Sequence, residues 1–142
     1  MARSKDLTAG ELRLWHAWLK ISEAVTTQVA RDVAEASGLS AAEYGILERL
    51  VEIGNGRLRQ RELAVALNWD KSRISHQLTR MQERNLLTRS KTAQEGSQVV
   101  ITRLGRDVLG RARPIHAQAV RRYLIERLTP EQAATIVTLA GA

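Results

Sequence analysis

Apolar residues recur at helical spacing through the first quarter of the chain. Leu14, Trp15, Trp18, Leu19, Val25, Val29 and Val33 fall on one face of a helix predicted over residues 8–36. Gly38 ends it, since glycine adopts the left-handed backbone of a helix stop without a Cβ penalty. Ser40 and Glu43 then have the spacing of a capping box, in which each side chain accepts from the other residue's backbone N–H. The helix they open carries Tyr44, Ile46, Leu47, Leu50 and Val51, and GNGRL (54–58) breaks it. A short helix follows over QRELAVAL (60–67), buried through Leu63, Ala64 and Leu67. Asn68 and Trp69 form a turn. Asp70 caps the next helix, which ends near Asn85, and its carboxylate faces the free N–H groups at the positive end of the helix dipole.

Beyond residue 85 the period changes. LLTRSKT (86–92) and QVVIT (98–102) read as two strands joined by the polar turn QEGS (94–97). Thr102 caps a long helix over 103–128. Pro114 inside it predicts a kink, or a stop and restart, because proline lacks an N–H and its ring crowds the carbonyl one turn back. TPEQ (129–132) combines an N-cap Thr, a proline at the first helical position and a capping Gln. It opens a last helix, with Ala133, Ile136, Val137 and Ala140 expected inward. The order predicts a mainly α fold of about six helices with a small two- or three-stranded sheet. Two short helices joined by a tight turn, then a β-hairpin, form a winged helix-turn-helix.

The helix after Asp70 has an unusual outer face. Ile74, Leu78 and Met81 stack in one apolar stripe. Ser72, His76, Thr79 and Arg80 lie opposite, Arg73 and Gln77 flank one side, and Ser75 and Lys71 the other. A helix in the major groove needs this chemistry: Arg bonds guanine N7 and O6, Gln pairs with adenine, and Ser or Thr reach bases or phosphates. In helix-turn-helix proteins the first turns of the helix enter the groove. An amphipathic surface helix is the plainer reading of the same stripe. On the predicted hairpin Arg89, Lys91 and Gln98 are candidate backbone contacts. Arg57, Arg59 and Arg61, flanking the first helix of the pair, are further phosphate candidates.

Charge favours the nucleic-acid reading. The formal total is +7, yet residues 1–56 net −2, residues 57–91 net +6 and residues 92–142 net +3. Such focusing is the footprint of a polyanion-binding surface, whereas a solvated basic face kept for solubility is the alternative. A chain of 142 residues suits one domain. With no Cys, disulfides, thiolate catalysis and thiolate metal sites are excluded. His16, His76 and His116 sit on three different predicted helices without metal-ligand partners, so no metal or other cofactor is expected. No nucleophile elbow, P-loop or dinucleotide fingerprint occurs, which argues against an enzyme. No run is long enough to span a bilayer and no signal-peptide pattern opens the chain, so a cytoplasmic location without membrane contact is expected.

LSAAEYGILERL (39–50), ELAVAL (62–67), DKSRISHQLTRMQERNLLTR (70–89), VVITRLGR (99–106) and LTPEQ (128–132) together resemble the MarR family of bacterial transcriptional regulators, and cover nearly the whole chain. The aromatic first helix and the TPEQ ending look like its actinobacterial branch. The resemblance implies a homodimer in which residues 1–36 and 103–142 of each chain form the dimerisation region. It implies a winged helix-turn-helix lobe over 39–102 that binds a pseudo-palindromic operator on double-stranded DNA. The major groove would be read by Ser72, Arg73, Ser75, His76, Gln77 and Arg80. Family members are often repressors released by small aromatic ligands. Arg13, Trp15, His16 and Trp18, with Trp69, are the residues here with the chemistry to hold an aromatic acid by stacking and charge. Packing in a dimer core is the other reading of the tryptophans.

One departure stands out. The family's wing usually carries Asp-x-Arg, whose Arg enters the minor groove. The corresponding positions here are Ala93 and Glu95. A carboxylate at the wing tip is repelled by phosphates, so wing readout is expected to be weak or altered. A non-specific DNA-binding or protein-interacting winged-helix protein is therefore the alternative function. If the basic middle segment meets DNA phosphates, affinity for duplex DNA falls by orders of magnitude between about 50 and 200 mM salt. A binding titration across that range checks this, and affinity indifferent to salt contradicts it.

Overall fold

The computed structural model describes residues 5–94 and 96–142. Its elements are α1 (Ala9–Ser37), α2 (Ala41–Gly54), β1 (Arg57–Arg59), α3 (Gln60–Leu67), α4 (Lys71–Glu83), β2 (Leu87–Thr92), β3 (Gly96–Ile101), α5 (Arg103–Tyr123), a 3-10 turn (Ile125–Arg127) and α6 (Pro130–Leu139). The chain divides into two compact units. One comprises Asp32–Ala117, and the other residues 5–31 and 118–142 of those described. Among the described residues no helix is long and apolar enough to cross a membrane.

The unit Asp32–Ala117 is the winged helix-turn-helix. The capping box forms as expected: Ser40 Oγ accepts from Glu43 N at 3.1 Å and Glu43 Oε1 from Ser40 N at 2.9 Å. Asn55 and Asn68, both with positive φ, end α2 and α3. Asparagine tolerates this left-handed conformation better than most residues. The core draws on every element of this unit: Leu39, Ile46, Leu47 and Leu50, then Leu58, Leu63, Ile74, Leu78 and Met81, then Leu87, Val99, Ile101, Leu109 and Ala112. The sheet is antiparallel, in the order β1-β3-β2. β3 pairs with β2 from Leu87↔Ile101 to Thr92↔Gly96, and with β1 from Arg57↔Val100 to Arg59↔Gln98. Only the longer pair has a readable sequence period. RLR at 57–59 offers one apolar residue, too short a pattern to separate a strand from a helix break.

The joint between β3 and α5 is tight. Thr102 Oγ1 accepts from Gly105 N at 3.0 Å and donates to Asn85 O at 2.7 Å. Thr102 N donates to Leu86 O at 3.2 Å. The long helix therefore starts against the segment that leaves α4. Gly105 permits this approach, because a Cβ there would lie 2.2 Å from the Leu86 carbonyl oxygen. On α5 and α2, the rings of His116 and Tyr44 stack with centroids 4.3 Å apart. Burial, reinforced by the Glu48 carboxylate, pushes the Tyr44 phenol well above its usual range.

Two expectations change. α5 is one continuous helix containing Pro114, so there is no stop and restart, and it ends at Tyr123, not 128, with the 3-10 turn after it. Proline removes one rung of a 21-residue ladder, and the burial of Val108, Leu109 and Ala112 earlier on the helix offsets that local loss. α6 has its Thr129 cap and capping box, but the helix buries none of its residues. Ala133 is half-buried, while Ile136, Val137 and Ala140 are exposed rather than inward. Helical periodicity identifies an apolar face; it does not say that the same chain covers it.

Two glycines of α5 should respond oppositely to alanine. Gly105→Ala is expected to cost about 1–3 kcal/mol, the usual range for overpacking, since backbone blocks its Cβ. Gly110, in mid-helix, has open space at its Cβ. Gly110→Ala should stabilise by about 0.5–1 kcal/mol. Urea unfolding of both variants checks the opposite signs.

Candidate nucleic-acid interface

The helix α4 is fixed along one side and at both ends. Ile74, Leu78 and Met81 are almost wholly buried. At the N-terminus Asp70 Oδ1 accepts from Arg73 N at 2.7 Å. At the C-terminus Arg84 donates to the carboxylate of Glu43, which is itself buried and also caps α2. The spacing of Ser40 and Glu43 marks the capping box, but no local pattern marks a partner 41 residues away.

The outer face is as the periodicity predicts. Lys71, Ser72, Arg73, His76, Thr79 and Arg80 are exposed, and Ser75 and Gln77 are half-buried. Several of these side chains bind one another. The Arg73 guanidinium lies 4.0 Å from the centroid of the Trp69 ring, a cation–π contact. Arg80 Nη2 donates to Gln77 Oε1 at 2.8 Å. Thr79 Oγ1 donates to Ser75 O at 3.0 Å.

A cleft of about 710 Å³ opens beside the start of α4, between α3 and the hairpin. Arg59, Arg61, Lys71 and Lys91 line it together with Trp69 and the edge of Ile74. Three cations predicted separately as phosphate contacts, Arg59, Arg61 and Lys91, thus share one concavity with Lys71 of the predicted recognition helix. Arg59 Nε lies 3.7 Å from the Glu62 carboxylate, a weak exposed pair. Arg57 is exposed on β1 but does not line the cleft.

Two wing candidates sit differently from expectation. Gln98 is only 8% exposed, paired in register between Arg59 and Ser90, so its side chain is not a surface contact. Its neighbour Val99, on the opposite face of the strand, is buried as well, so β3, the central strand of the sheet, is covered on both faces there. Arg89 reaches back to α4 instead of outward: Nη2 donates to Thr79 Oγ1 at 2.7 Å and Nε to Gln82 Oε1 at 3.1 Å. Ala93 is exposed in the turn of the hairpin. Glu95, the other position of the departure, lies outside the described residues.

Arg13, Trp15, His16 and Trp18 belong to the other unit, on α1, and are exposed; Trp15 and Trp18 are 50% and 57% accessible. Among the described residues no group of three or more His, Asp or Glu is arranged to hold a metal ion.

A capped helix with a buried inner stripe and a polar, basic outer face, beside a β-hairpin and a cationic cleft, defines a winged helix-turn-helix protein of the DNA-binding class. The comparisons make this specific. A MarR family model matches residues 37–96. AbsC, a MarR family transcriptional regulator from Streptomyces coelicolor, is 33% identical with a TM-score of 0.88, over 96% of this chain and 93% of that one. Sco3205, a MarR family regulator from the same organism solved in complex with DNA, is 29% identical with a TM-score of 0.89, over 96% and 87%. BpsR of Bordetella bronchiseptica, whose DNA binding is regulated by 6-hydroxynicotinic acid, shares the fold at 20% identity and a TM-score of 0.78, over 96% and 97%. A search of curated proteins gave no significant match. The chain belongs to the MarR family of transcriptional regulators. As a member of that family it is a DNA-binding transcriptional regulator.

The cap of α4 should be measurable. Asp70→Ala is expected to cost about 1 kcal/mol, and Asp70→Asn much less, because Asn caps almost as well. Equal losses in denaturant unfolding would show that the cap bond is not what holds the helix start.

Proposed function

We propose that this protein is a homodimeric repressor that binds a pseudo-palindromic operator and is released by a small aromatic acid. The observation that carries the reading is the outer face of α4, where Ser72, Arg73, His76 and Arg80 are exposed on a helix whose inner face is locked in the core. Such a helix enters the major groove with its N-terminal turns leading. Arg73 reads a guanine, Gln77 and Arg80 serve positions further along the groove, and Lys71, Ser72, Ser75, His76 and Thr79 make the shorter contacts. Arg57, Arg59, Arg61 and Lys91 attract phosphates, fixing register without reading sequence. Residues 39–102 are the DNA-binding lobe, and contact with operator DNA puts the protein in the cytoplasm.

The dimer is supported by apolar surface that a lone chain leaves open. Leu14, Trp15, Trp18 and Ile21 on α1, and Val137 and Leu139 on α6, are all at least half exposed. Exposed apolar residues on this scale mark a contact surface. A second copy covering residues 1–36 and 103–142 buries them and sets two α4 helices one DNA turn apart, on an operator of roughly 16–20 base pairs. Arg13 and His16 beside Trp15 and Trp18 give α1 the cation and ring faces for an aromatic carboxylate. Regulation of BpsR by 6-hydroxynicotinic acid supports an effector of that chemistry.

Replacing single cations separates reading from positioning. Arg73→Ala should cost about 1–3 kcal/mol on the preferred site and relax specificity at one base step. Lys91→Ala should weaken all sequences about equally and reduce the salt slope by about 1. Equal losses on operator and random duplex for Arg73→Ala would falsify its role as a base reader.

A further inference from the structure

Arg89 sits on β2 within the basic segment, where charge alone suggests a phosphate anchor. Its guanidinium is already engaged. Nη2 donates to Thr79 Oγ1 at 2.7 Å, Nε donates to Gln82 Oε1 at 3.1 Å, and Nη1 makes a longer contact of 3.5 Å with Ser75 O. All three acceptors lie on α4, spanning two turns of its length. The side chain is half-buried there. We infer that Arg89 is a positioning residue: a strut from the wing that sets the pitch of the recognition helix, not a phosphate contact. This rests on the reading of α4 as the DNA-reading helix.

The chemistry suits a strut. A guanidinium is a planar fork of five N–H donors, and it loses little side-chain freedom for each bond it makes. Lysine's ammonium is a compact point charge and cannot reproduce the fork. Thr79 changes role as a result. Its hydroxyl donates to Ser75 O and accepts from Arg89, so most of its capacity is spent within the protein. The wing then contributes to specificity indirectly: β2 holds α4 along the side that the hydrophobic core does not, between the cap at Asp70 and the anchor at Arg84. A wing with Ala93 at a minor-groove position can still be required for operator recognition through this coupling.

The test compares Arg89→Ala, Arg89→Lys and Thr79→Val with the unmodified protein. Operator and random-duplex affinities are measured across a salt series, with α4 amide hydrogen exchange followed in the absence of DNA. A strut predicts that Arg89→Ala and Arg89→Lys each lose about tenfold on operator and little on random duplex, the loss expected for a charge-assisted contact. The salt slope stays unchanged. Exchange at residues 75–82 rises in both Arg89 variants and, more weakly, in Thr79→Val. A phosphate anchor predicts the reverse: Arg89→Lys retains affinity, Arg89→Ala loses equally on both duplexes, the salt slope falls by about 0.9, and exchange is unaltered. That pattern overturns the inference. Exchange needs no DNA. If the unmodified protein shows no sequence preference, the proposed function fails while the strut is still decided by exchange.

Discussion

A helix that reads a groove must present its outer side chains at fixed height and rotation, so what holds its inner side decides what the outer side can do. In this protein that hold is the burial of Ile74, Leu78 and Met81 against the core, with an anchor at each end. Asp70 satisfies an N–H at the start, and Arg84 meets the buried Glu43 carboxylate at the finish. Glu43 serves two elements at once, because it also caps α2. Removing its carboxylate would take from Arg84 its acidic partner and leave the α2 capping box with only the Ser40 half. Rotation of α4 by one residue would turn Arg73 and His76 toward the core and Ile74 outward, which the apolar stripe forbids.

The outer face is preorganised in a second sense. Arg73 rests on Trp69, Arg80 on Gln77, and Arg89 on Thr79 and Gln82. Long cationic side chains lose considerable rotamer entropy when they dock. Holding them against neighbours before DNA arrives lowers that cost, while each contact that must open on binding adds to it. The contacts differ in this respect. Stacking on an indole leaves the guanidinium edge able to donate to a base, whereas the Arg80–Gln77 bond uses the groups that base reading requires. Of the cleft cations, Arg59 has only a weak 3.7 Å approach to Glu62; Arg59, Arg61, Lys71 and Lys91 have a different arrangement. They surround an open cleft, as suits diffuse attraction to a polyanion.

Much of this was legible from residues in order. The capping boxes at Ser40 and Thr129, the Asp70 cap and the stripe of α4 are local signals with short, fixed spacings, and each forms. Features set by distant partners were not legible. β1 is a strand only because β3 comes to pair with it. Gln98 is polar yet buried, since strand register placed it, not its own preference. Arg89 and Lys91 look alike in sequence, two cations two apart on one strand. One folds onto α4 and the other lines the cleft. Ile136 and Val137 follow the helical period faithfully, but whether anything covers them depends on more than one chain.

The central claim is that α4 reads a specific sequence as part of a two-fold assembly. Selection of bound sequences from a random duplex library, with the purified full chain at near-physiological salt, tests it most directly. The account predicts enrichment of a palindrome whose half-sites lie one helical turn apart. Binding that enriches no sequence and vanishes as salt rises would contradict it, and would reduce the basic segment to an electrostatic surface.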